Sequence, residues 1–145
     1  MSTTVSPRAS GDATAALVLA ALTMLFALRV AGQALVAFAE VTWLPPMEAW
    51  FSGLLPYPIL LPAQLVILAA QLALDWRVWR CGLAARPRVA AALRRSSYVY
   101  ALAMLVRLVV TRAHVIPVVF HWVLAAYLYS LAGVSAGRTP RAAGR

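Results

Sequence analysis

The chain has no lysine, only four acidic residues and a single cysteine, Cys81. So few carboxylates leave little material for paired general acid and base chemistry. A lone thiol excludes an internal disulfide and a cysteine metal cluster, and its neighbours Arg77, Arg80 and Arg86 assign it to the reducing side of a membrane as an ordinary thiol. Missing too are a glycine-rich phosphate loop, a His-Glu zinc signature, a Gly-x-Ser-x-Gly elbow and a Cys-x-x-Cys pair. Nothing in the sequence points to an enzyme.

What the chain does have is apolar surface. Hydrophobic residues make up 63% of its 145 positions and charged residues 12%, with a mean hydropathy of +0.82, a composition that suits lipid as solvent rather than water. A hydrocarbon layer about 30 Å thick takes about 20 apolar residues per helical span, so this length holds four spans and their connections. The expected fold is all-α: a polytopic membrane protein built as a four-transmembrane-helix bundle with both termini cytoplasmic.

Residues 1–12, rich in Ser, Thr, Pro and Gly, are expected to form a disordered tail, followed by a transmembrane domain over 13–137 and a basic tail over 138–145. The spans are assigned to about 13–39, 59–75, 96–113 and 115–134. A signal peptide cleaved after Ala37-Phe38-Ala39 is the competing reading of the first span, and Arg29 with Gln33 makes that region unusually long and polar. Pro46 is expected to open a short helix through Ser52, stopped at Gly53, with Trp43, Trp50 and Tyr57 at the headgroup level. Pro62 is placed in the first turn of the second span, Pro87 to Leu93 in a short surface helix, and Pro117 at the restart after a tight hairpin.

The net charge of +9 raises nucleic acid as a partner, but ten of the thirteen arginines fall in segments that flank the spans on one side. The charge therefore reads as topology. Six arginines, Arg77, Arg80, Arg86, Arg88, Arg94 and Arg95, crowd the middle connection and place it in the cytoplasm, where each contact with an anionic lipid is worth about 1 kcal/mol. The arginine and alanine bias suggests a GC-rich genome, and the expected location is a bacterial inner membrane.

Helical spacing organises the polar residues inside the spans, because positions 4, 7 or 11 apart share a face. Arg29, Gln33 and Glu40 form one seam, Gln64, Gln71 and Asp75 a second, and Tyr100, Arg107 and Thr111 a third. Counted from the outer boundary, Gln33, Gln64, Arg107 and His121 lie roughly 8 to 10 Å deep, and Arg29 one turn deeper. The expected result is a polar layer of Arg29, Gln33, Gln64, Arg107 and His121, with Glu40 as counter-charge. Such a layer either holds an anion or carbonyl group or locks the helices together. Asp75 is most simply an ion pair with Arg77 or Arg80 at the cytoplasmic exit, with proton transfer beside Gln71 as the alternative.

His114 and His121 invite a haem reading, yet they share a face only if the helix runs through Pro117, and no cofactor is predicted. Small residues four apart, Ala16/Ala20, Ala27/Ala31, Ala69/Ala73 and Gly133/Gly137, allow close helix approach. The first functional expectation is an accessory or homo-oligomeric membrane subunit acting through helix association with itself or other subunits. The alternatives are a protein that binds or transports an amphipathic anion, such as a lipid phosphate, a carboxylate or a quinone-like head group, and a haem- or quinone-binding redox subunit.

Overall fold

The computed structural model describes residues 7–39, 41–50, 56–81, 87–112 and 115–136, with the backbone alone described for 7–12 and 135–136. Five helices follow in order: α1 (Pro7–Ala39), α2 (Met47–Trp50), α3 (Tyr57–Cys81), α4 (Pro87–Thr111) and α5 (Val115–Ala136). Four of them are long and apolar enough to cross a membrane, which is the all-helical, four-span architecture expected from composition.

The boundaries differ from expectation where local helix chemistry outlasts the apolar pattern. Helix α1 begins at Pro7, ahead of the expected start at 13, and proline is well suited to the first helical position, where its missing donor is no loss; residues 1–6 of the expected tail lie outside the described residues. The second span runs on past 75 to Cys81: Trp76 and Trp79 are exposed, and the Arg80 guanidinium lies 4.4 Å from the Trp76 ring centre, a cation–π contact over the emerging turn. Pro62 sits beyond the first turn, inside α3, and so removes the donor that would otherwise reach the Pro58 carbonyl. The surface helix foreseen at Pro87 to Leu93 and the third span are one continuous α4, since the alanine- and arginine-rich stretch between them favours helix and contains no breaker. The short helix from Pro46 is the single turn α2, and its foreseen end at Ser52 lies outside the described residues.

Across the bundle the order is α3, α1, α5, α4, with α2 resting on α1 and α5. Among the described residues the backbones of α3 and α4 do not approach closely, and Leu93 of α4 packs against the core to which α3 contributes Val78. The packed core lies where Ala16 and Leu19 of α1 meet Val78 of α3 and Tyr127 and Leu131 of α5. Helix α4 is tied to α5 by Ser97, whose hydroxyl donates to the Ala125 carbonyl at 2.8 Å, and by Trp122, whose indole donates to the Ala101 carbonyl at 3.2 Å.

Asp75 is not an ion pair at the helix exit. Its position eleven residues after Gln64 turns it inward, and its carboxylate accepts from the Thr23 hydroxyl at 2.7 Å and the Tyr127 hydroxyl at 3.0 Å. Tyr127, 2% exposed, also lies 3.2 Å from the Gln71 carbonyl. One carboxylate thus joins α1, α3 and α5, in surroundings where an interhelical hydrogen bond is worth about 0.6 to 2 kcal/mol.

Two stability predictions follow from these contacts. Tyr127→Phe keeps the packed ring and removes the hydroxyl, so it should lower stability by about 1 kcal/mol, read as a reduced Tm in detergent. An unchanged Tm would show that the hydroxyl contributes nothing. Arg112 ends α4 in the left-handed region at φ 48°, with its amide on the Leu108 carbonyl at 2.9 Å, a conformation that costs a non-glycine residue about 1 to 2 kcal/mol. Arg112→Gly should raise the Tm by a few degrees, and a fall would refute the assignment of strain.

Candidate functional site

Arg29 and Gln33 stand one turn apart on α1, both buried, at 6% and 0% exposure. The Arg29 Nη1 donates to Gln33 Oε1 at 3.2 Å, and Gln64 of α3, itself 5% exposed, donates through Nε2 to the same oxygen at 3.1 Å. A second guanidinium nitrogen, Nη2, reaches the Trp50 carbonyl at a long 3.5 Å, and the Phe120 ring centre lies 5.6 Å from the guanidinium carbon. Three buried atoms of this cluster have no partner among the described residues: the donors Arg29 Nε and Gln33 Nε2 and the acceptor Gln64 Oε1.

Beside the cluster lies a cavity of about 180 Å³. Its polar wall is Arg29, Gln64, Tyr100 and His121; Trp50 and Phe120 belong to the remainder, which is largely apolar. The Tyr100 hydroxyl and His121 Nδ1 share a hydrogen bond between α4 and α5, with the rings edge to face at a centroid distance of 5.5 Å. Among the described residues, no carboxylate reaches Arg29. Glu40, the expected counter-charge, lies outside them, as do His114 of the haem reading and Arg86 of the basic connection.

The structure brings four of the five expected residues together. Arg29, Gln64 and His121 line the cavity, and Gln33 braces Arg29 and Gln64 from behind. Arg107 does not line it: two turns beyond Tyr100, this half-buried residue stands nearer the end of α4, where its carbonyl accepts the Thr111 hydroxyl at 2.9 Å. Of the expected interfacial aromatics, Trp43 is exposed and Tyr57 is half-buried, 6.0 Å from the Phe38 ring. Trp50 is a correction. It is buried at 8%, its indole donating to the Pro45 carbonyl at 2.8 Å. Arg77, Arg80, Arg88, Arg94 and Arg95 are exposed.

Two site residues were missed from the sequence. Tyr100 was visible as the inner member of the α4 seam, and its spacing of seven from Arg107 was signal enough to place it a further two turns in. Trp50 gave no such signal, because its burial is set by Gly32. A Cβ at that glycine would stand 2.9 Å from Cη2 of the Trp50 ring, so the absence of a side chain is what admits the indole.

Gly32→Ala should therefore displace the indole and, with it, the carbonyl that faces Arg29. The expected result is a lowered Tm and altered tryptophan emission relative to the same change in a Trp50→Phe background, and identical spectra and melting for Gly32→Ala and the parent would remove the argument. Comparison of the chain with protein-family models, with characterised proteins and with solved structures finds no match, so a functional reading rests on the chemistry of this cavity.

Proposed function

We propose that this protein binds, within the bilayer, the anionic or carbonyl-bearing head group of an amphipathic molecule at Arg29, Gln33, Gln64, Tyr100 and His121. The observation that carries this reading is the buried guanidinium beside a cavity, with its Nε and the neighbouring Gln33 Nε2 unpartnered among the described residues. Placing an arginine at membrane depth costs about 2.5 to 3.5 kcal/mol, and each buried unmade hydrogen bond about 1 to 3 kcal/mol more. What favours a ligand over a purely structural layer is that Arg29, with its unpartnered Nε, lines a cavity. An oxyanion accepts from the two unpartnered donors, and the free Gln64 Oε1 suits a hydroxyl of a protonated acid or phosphate.

Gln71 shows why the cavity matters. Its side-chain amide is also buried and unpartnered, at 2% exposure, yet Gln71 does not line this cavity. The exposed arginines around the 81–87 connection support a cytoplasmic position for it and contact with anionic lipid in a bacterial inner membrane. Association with other subunits is the rival reading, and it assigns Arg29 to bundle stability.

The two readings predict opposite behaviour for Arg29→Met. If Arg29 serves a ligand, the variant loses a charge-assisted interaction of about 1.5 to 3 kcal/mol, which weakens anion retention by about 10- to 100-fold, while the ligand-free protein melts no lower than wild type. Native mass spectrometry of the purified protein supplies the first measurement and detergent melting the second. Wild type that retains no acidic species, together with a destabilised variant, would overturn the binding reading in favour of association.

A further inference from the structure

A cavity of about 180 Å³ is below the roughly 300 to 1,000 Å³ that encloses a whole small molecule, so it suits a head group and leaves the rest of an amphiphile outside. A second, larger space of about 480 Å³ runs along α4 and α5, lined by Arg95, Ser96, Val99, Tyr100, Ala103, Leu124 and Leu128. Tyr100 and Leu124 line both spaces, so cavity and groove abut at these two side chains. The Tyr100 hydroxyl is held by His121.

The geometry points to one occupant for both spaces: a long-chain acid whose anionic head is held at Arg29 and whose acyl chain lies in the α4/α5 groove. This rests on the head-group reading above and names the class of ligand. Charge supports it at each end. Arg29 stands at the head position, and Arg95, exposed at the far end of the groove, draws anions from the headgroup layer towards the track. Between them Val99, Ala103 and Leu128 give an apolar path, with Ala103 the small residue that leaves room for a chain. An acid with its head at Arg29 lays its chain along that path.

The test uses the full-length protein in nanodiscs with two probes present at equal mole fraction: a fatty acid with a diazirine at mid-chain, and its methyl ester. Crosslinks are mapped by mass spectrometry. The acid should label positions 99–103 and 124–128 at least tenfold more than the ester does, Arg29→Met should reduce its labelling to the ester's level, and Ala103→Trp should abolish labelling at Leu128. Equal labelling by acid and ester, unchanged by Arg29→Met, overturns the proposal. The fate of the head-group reading is read separately, from the thermal shift given by butyrate, which has too little chain to fill the groove. A shift that depends on Arg29 leaves that reading standing without the chain, and the loss of both signals removes the two together.

Discussion

A guanidinium surrounded by hydrocarbon has to satisfy five donors without water, and the arrangement of α1, α2, α3 and α5 around Arg29 answers that constraint. Gln33 takes one N–H from the next turn of the same helix, and Gln64 anchors α3 on the same oxygen. Phe120 offers a ring face from α5. The Trp50 carbonyl comes from α2, a single turn that reaches Arg29 because Gly32 lets the indole lie against α1. Four segments of chain thus converge on one side chain, whose Nε has no partner among the described residues.

The second polar centre, around Asp75, is built on a different balance. There a carboxylate meets two hydroxyls, and both its oxygens accept a hydrogen bond. It joins the three helices of the packed core through Thr23 and through Tyr127, itself a core residue, and has the character of structural glue. The two centres differ: both Asp75 oxygens accept hydrogen bonds, while at Arg29 two donors and one acceptor have no partner among the described residues. The same α3 face supplies both, Gln64 to one and Asp75 to the other, as the spacing of its polar seam implies.

That spacing is why much of the bundle and most of its candidate site were legible in the sequence. Four apolar runs separated by breakers fix the number of spans, and period-matched polar residues on α1 and α3 must share a buried face in lipid. The failures have a common cause. Arg107 and Tyr100 share a seam, but rank by charge favoured the arginine, whereas depth along α4 assigns the cavity wall to Tyr100. Trp50 was read as interfacial from its composition-rich surroundings, whereas its position depends on a glycine eighteen residues earlier and on no local pattern. Asp75 was matched with the nearest arginines in sequence, and tertiary packing gave it Thr23 and Tyr127 instead. Local period predicts faces; partner choice across helices needs the register between them.

Because lipid tails are about as apolar as leucine, moving an acyl chain from the bilayer into the α4/α5 groove gains little from the hydrophobic effect. If the proposed ligand binds here, selection among amphiphiles would come from the head, through a charge-assisted bond to Arg29. In the proposed pose the groove would contribute direction, setting which way the chain leaves the cavity and how the head meets Arg29 and Gln64. A neutral ester in the same groove has the chain contacts without that bond, while a short acid has the bond without the chain. On the proposed reading, a molecule that presents both would bind best, with its charged end at Arg29, whose Nε has no partner among the described residues.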